Sequence, residues 1–199
     1  MSDIKKQFQE SINVKNKILE TAGYKILSEM GEELSDLIQA GNKIMLCGNG
    51  GSAADAQHLA AEMLIRLKPT NNRQGIPAIA LAQDTSTLTA CGNDYGYEEI
   101  YERILSTLGN EGDCLIAIST SGNSKNIIKA MNLANNIGIR VFGFLGGNGG
   151  IALKFCDKAF IVPSDDTARI QEAHITAGHS LMEYIEDKLL ESGYIKLID

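Results

Sequence analysis

Two glycine-rich turns, CGNGGS at 47–52 and ISTSGNS at 118–124, set the frame for what this chain can fold into. Each follows a short apolar run, Lys43–Leu46 and Asp113–Ala117, and each opens onto a helical pattern. A parallel strand that leaves the sheet through a tight turn into a helix exposes unpaired backbone N–H groups, which can donate to an anion. The second turn adds the hydroxyls of Ser119, Thr120, Ser121 and Ser124, with no Lys before Lys125. A cradle of amides and hydroxyls without a cation suits a small phosphorylated metabolite.

The rest of the chain agrees with such strand exits. Apolar runs at 43–47, 77–81, 113–118, 139–144 and 159–162 predict buried parallel strands. Helical periodicity at 52–67, 84–92, 98–108, 124–136 and 167–191 separates or follows them. This alternation predicts an α/β fold, a three-layer, doubly wound, five-stranded parallel sheet. Ahead of it, residues 3–40 carry Ile4, Phe8, Ile12, Ile18, Ala22, Ile26, Met30, Leu34, Leu37 and Ile38 at helical spacing. They predict one long amphipathic arm, with Gly23 and Gly31 as tolerated interruptions and a stop at Gly41-Asn42. We therefore expect one domain over 1–199, divided into a helical oligomerisation arm (1–41) and an α/β core (42–199). A third glycine-rich exit, LGGNGG at 145–150, reads as a turn, with a ligand loop as the alternative.

Bulk properties narrow the function. The 199 residues carry a formal net charge of −7, which argues against a non-specific nucleic-acid binder. Cys47, Cys91, Cys114 and Cys156 are scattered among apolar and small neighbours, as free thiols in a reducing compartment are. No apolar leader or membrane-length run is present, so a cytoplasmic protein with no membrane partner is expected. Ala53 breaks the G-x-G-x-x-G spacing and no G-x-x-x-x-G-K-[ST] occurs, which points away from dinucleotides and ATP.

Few residues can carry chemistry. His58 and Glu62 lie one turn apart on the helix opened by GNGGS, beside the apolar stripe of Leu59, Met63 and Leu67. They read either as a solvated pair or as part of a site. On the last helix, Gln171 and His179 fall on roughly one face, and His179 alone could equally be a core or interface histidine. His174 falls near the opposite side and reads as structural or interfacial. His58, Glu62, Gln171 and His179 make a four-point metal set, for which zinc is the first choice. Asn93-Asp94 reads as a loop over the strand ends, where Asp94 could accept sugar hydroxyls, or as a helix C-cap and turn.

Taken together, GNGGSAADAQH, GND at 92–94, ISTSGNS and RIQEAHITAGH at 169–179 resemble the sugar isomerase (SIS) domain family, more narrowly its phosphoheptose isomerases, over nearly the whole chain. The resemblance implies an aldose–ketose isomerase acting on sedoheptulose 7-phosphate, on the route to the ADP-heptose of lipopolysaccharide core. It implies phosphate held by Ser119, Thr120, Ser121 and Ser124, and sugar contacts from Asn49, Gly50, Gly51, Ser52, Glu62, Asn93, Asp94 and Gln171. Glu62 and His179 would be catalytic; His58, Glu62, Gln171 and His179 would hold one Zn2+ per subunit of a homotetramer. A related branch implies the alternative, a non-catalytic SIS tetramer that binds the bacterial replication initiator.

Overall fold

The structure, a computed structural model, describes residues 3–81 and 84–198. Within these residues the chain runs α1 (Ile4–Glu20), α2 (Lys25–Gln39), β1 (Ile44–Gly48), α3 (Gly51–Leu64), β2 (Ala78–Ala80) and α4 (Thr85–Asp94). It continues α5 (Ile100–Leu108), β3 (Cys114–Ser119), α6 (Lys125–Asn136), β4 (Arg140–Gly146), β5 (Lys158–Val162) and α7 (Thr167–Glu191). Short 3-10 turns at Tyr97–Glu99 and Ile151–Phe155 precede α5 and β5. The five strands are all parallel, in the order β2-β1-β3-β4-β5.

Although β1 and β3 are buried on both faces, their side chains still alternate between two cores. Ile44, Leu46, Cys114, Ile116 and Ile118 join α1, α2, α3 and α7 on one face. Met45, Cys47, Leu115 and Ala117 join α4, α5 and α6 on the other. That is the expected three-layer arrangement, a continuous apolar run being the signature of a strand covered on both sides. At the N-terminal end of the sheet, the buried Asp113 carboxylate accepts from Lys43 N–H (3.0 Å) and Asn110 N–H (2.8 Å), which pins β1 and β3 side by side.

The arm departs from the expected single helix. It breaks at Thr21–Tyr24, where Ala22 takes φ +54° and Gly23 N–H closes back on Ile18 C=O. The two halves have different fates. In α2, Met30, Leu34 and Ile38 are fully buried. Gly31 lies so close to the Tyr184 ring of α7 that a Cβ would have no room. In α1, by contrast, Ile4, Phe8, Ile12 and Leu19 remain exposed. The periodicity correctly marks both apolar stripes, but a left-handed residue between them cannot be read from periodicity.

The last helix begins where expected: Asp166 caps it by accepting from Ala168 N–H (2.8 Å) and Arg169 N–H (3.2 Å). His174, read from the sequence as structural or interfacial, is a core residue. It is 1% exposed between Phe144 and Phe160, with Nε2 3.1 Å from Leu145 C=O and Nδ1 unpartnered. Burial pushes its pKa down to about 4, against the weaker upward pull of the Leu145 carbonyl. An unfolded histidine titrates near 6.5, so between those values the unfolded chain takes up a proton that the fold refuses. Stability is therefore expected to fall as pH drops from about 6.5 to about 4, by roughly 3 kcal/mol in all, and to lose this dependence below that. Urea midpoints measured across this window for the natural chain and His174→Gln check it: the variant's dependence should be flatter, and equal slopes would assign the effect elsewhere.

Candidate active site

In the strand order β2-β1-β3, the chain after β1 turns one way to α3 and the chain after β3 turns the other way to α6. Such a reversal opens a crevice at the C-terminal strand ends. Both glycine-rich turns border that crevice. Gly50 takes φ +57°, and α3 starts at Gly51 with no side-chain cap; Ser52 N–H and Ala53 N–H turn back onto the Asn49 (3.0 Å) and Gly50 (3.1 Å) carbonyls. Across the crevice, Ser124 occupies the cap position of α6 without bonding to the helix. Its Oγ lies 3.4 Å from Ser119 Oγ instead, and of the first α6 amides Ile127 N–H is taken by Asn126 Oδ1 at 2.9 Å.

The two turns are tied together. Asn49 and Asn126 exchange reciprocal amide hydrogen bonds of 2.8 Å each, and Tyr97 O–H donates to Asn49 Oδ1 at 2.8 Å. The Asn49 side chain, expected to meet a sugar, thus also ties the two turns together, with one hydrogen of its Nδ2 spent on Asn126. The exit at 145–150 is a turn, as expected, with a supporting role that the sequence does not show. Ala152 N–H donates to Gly122 C=O (2.8 Å) and Ile151 N–H to Asn123 Oδ1 (3.1 Å). Thr120 and Ser121 then line a cavity of about 520 Å3 with Gly147, Asn148, Asp165 and Thr167.

Beyond the loops lie the titratable groups. His58 and Glu62 of α3 meet His179 of α7, and one donor atom from each of the three lies within 4.8 Å of the others. His58 Nε2 is 2.8 Å from His179 Nε2 and 3.4 Å from Glu62 Oε1, with the two rings edge-on at 80°. Two imidazole lone pairs at that distance repel, so a proton on one nitrogen or a cation between them must resolve the contact. Glu62 is 18% exposed and its Oε2 is buried without a partner, which leaves one carboxylate oxygen available to a ligand. His58 is 48% exposed, further out than its neighbouring apolar stripe suggested. Gln171 presents its amide to Gly51, where a Cβ would come within 2.6 Å of Nε2. Among the described residues no hydrogen bond joins that amide to the three.

Asn93 and Asp94 end α4, where their side chains bond to each other at 2.8 Å in an exposed position. Asp94 lines a groove with Tyr95, Arg103 and Thr107. One residue at the cluster was missed. Asp55 Oδ2 is buried and unpartnered, and burial pushes the carboxyl pKa up, with the opposing pull of His58 and His179 showing that it faces the same group. Its signal was present: 55, 58 and 62 repeat at three and four along one helical face.

Comparison with known proteins gives this geometry a context. The family described as "SIS domain" matches residues 7–146. The phosphoheptose isomerase of Clostridium acetobutylicum is 48% identical over 189 residues, 94% of each chain. That of Aquifex aeolicus is 47% identical over 191 residues, 96% of this chain and 98% of the other. Among solved structures, the phosphoheptose isomerase of Neisseria gonorrhoeae superposes with a TM-score of 0.85 at 38% identity, covering 92% of this chain and 97% of that one.

Gly122 tests the buttress under the hydroxyl loop. Its φ is +63° and a Cβ would fall on Gly149 C=O, so Gly122→Ala must part the two loops. We expect a stability loss on the order of 2 kcal/mol, from left-handed strain and the clash together, and at least tenfold weaker binding of inorganic phosphate. Gly92→Ala, with open space at its Cβ in α4, should leave both unchanged or stabilise by a few tenths of a kcal/mol. Urea melts and phosphate titrations of the two variants check the contrast.

Proposed function

The chain belongs to the phosphoheptose isomerases of the SIS-domain family, and we infer that it interconverts sedoheptulose 7-phosphate and D-glycero-D-manno-heptose 7-phosphate through an enediol. The observation that carries this is the Glu62 carboxylate, with a free buried oxygen, beside His179. It shares the crevice with a hydroxyl loop suited to a phosphate. Ser119, Thr120, Ser121 and Ser124, with the α6 amides, bind the phosphate by neutral donors. That anchorage extends the sugar chain along the crevice past Gly50, Gly51 and Ser52. Contacts from Asn93, Asp94 and Gln171 belong to the same proposal.

In the ketose-to-aldose direction, Glu62 takes a proton from C1 while His179 gives one to O2, which produces the enediol. His179 then accepts the proton of O1, and Glu62 returns its proton to C2. Each atom that loses a proton is matched by one that gains it, so no redox partner is required. One carboxylate serves both carbons because they are adjacent and the base sits on a rigid helix.

The same donors suit zinc: two imidazoles, a carboxylate oxygen without a partner and the Gln171 amide. His58, Glu62, Gln171 and His179 would hold it, and when bound it would supply Lewis acidity towards negative charge on the sugar oxygens. The exposed Ile4, Phe8 and Ile12 of α1 support the arm at 1–41 as the oligomerisation element of a homotetramer, leaving 42–199 as the sugar-phosphate core. No helix among the described residues is long and apolar enough to cross a membrane. We place the activity in the cytoplasm, in the supply of heptose for lipopolysaccharide. The alternative, an initiator-binding scaffold, would leave the Glu62–His58–His179 cluster without a task.

Turnover of sedoheptulose 7-phosphate by the purified protein is the direct test. Glu62→Gln should lower kcat at least a thousandfold while phosphate affinity stays within threefold. Ser121→Ala should instead raise KM about tenfold with kcat nearly unchanged. Chelation should suppress activity and zinc restore it; full activity in chelator would remove the metal and leave the isomerase reading intact.

A further inference from the structure

Glu62 and His179 stand on different helices, 117 positions apart in the sequence, so something must hold those helices in register. The buried group outside the cluster best placed to do so is Arg73. Its side chain and that of Glu186 are both fully buried, with Arg73 Nε 2.5 Å from Glu186 Oε2. The guanidinium also donates from Nη2 to Glu62 C=O and from Nη1 to Met63 C=O, each at 2.9 Å, and to Gln74 C=O at 2.9 Å. The second Glu186 oxygen accepts from Asn71 Nδ2 at 2.7 Å.

The last carbonyls of α3 have no helical partners, and Ile65 N–H takes that of Ala61. Arg73 takes the next two, a cation at the negative end of the helix. Its other edge reaches α7 at Glu186, seven residues or two turns beyond His179 and so on nearly the same strip of that helix. One rigid, planar group therefore grips α3 at the residue that bears the carboxylate and α7 in line with the histidine. A buried ion pair is not needed for stability, since apolar replacements of such pairs are often neutral or better. Fixing the separation of two functional helices is a task an apolar contact cannot do with the same directionality.

We propose that Arg73, anchored by Glu186, is a positioning residue that sets Glu62 of α3 against His179 of α7. This rests on the isomerase reading above. Arg73→Lys keeps a charge for Glu186 but cannot span both helices with a planar fork. For a variant shown by circular dichroism to be fully folded at the assay temperature, we expect kcat to fall at least tenfold with KM for sedoheptulose 7-phosphate within twofold, because the phosphate loop is untouched. A folded variant with kcat within twofold of the natural chain, or with the loss in KM, overturns the proposal. If Arg73→Lys does not fold, Glu186→Gln is judged by the same criteria; if neither folds, the pair is a stability element and the proposal falls. Should the natural chain show no turnover, the isomerase reading fails and zinc affinity decides the clamp. Tenfold weaker zinc binding in the folded variant supports it, and equal affinity, or no binding by either chain, overturns it.

Discussion

The close approach of α7 to α3 is the constraint on which the candidate site depends. Gly178 makes it feasible, since a Cβ there would come within 2.6 Å of the Leu59 side chain, and Gly51 does the same for Gln171. Gly31 admits the Tyr184 ring on another side of α7, so that helix is seated closely against both α3 and α2. Interiors are packed densely enough that such contacts transmit even a small displacement. With His58 and His179 only 2.8 Å apart, a helix pushed outward by one methyl group would separate the groups that the chemistry needs together. Arg73 and Glu186 act on the same spacing from the other end.

The electrostatics of the crevice are local. The chain is acidic overall, yet the loops at 47–52 and 118–124 present amides and hydroxyls at two helix N-termini, which favour an anion within about one helical turn. The acidic groups nearby are dealt with individually. Asp113 is consumed by backbone amides at the far end of the sheet, and Glu186 by Arg73 and Asn71. Only Asp55 and Glu62 keep a buried carboxylate oxygen without a partner at the histidine cluster. Another such oxygen, Glu172 Oε2, lies on α7, where the other carboxylate oxygen accepts from Arg169 at 2.6 Å.

Support for the phosphate loop comes from an unexpected quarter. The turn at 145–150 and the residues after it touch the hydroxyl loop by Ala152 N–H to Gly122 C=O, by Ile151 N–H to Asn123 Oδ1 and by the near contact of Gly122 with Gly149. Within the loop, Ser119 Oγ accepts from Gly122 N–H and Ser121 Oγ from Asn123 N–H, each at 3.2 Å, so both hydroxyls keep their own proton to donate. The Asn49–Asn126 pair plays the corresponding part on the other side, with Asn49 Nδ2 spending one of its two hydrogens on Asn126 Oδ1.

Much of this was legible in the chain. Apolar runs and helical periods marked five parallel strands and the long last helix, because burial on one or two faces leaves a repeat of its own in the sequence. The glycine turns declared their place at strand exits, and the spacing of His58 and Glu62 put them on one face. Tertiary structure decided the rest. Whether the His58–Glu62 row met His179 or solvent, and what Arg73 was bonded to, depend on contacts between segments far apart in sequence. Local periodicity records which side of a helix is buried, but not what lies against it; that is set by how the helices pack on the finished sheet.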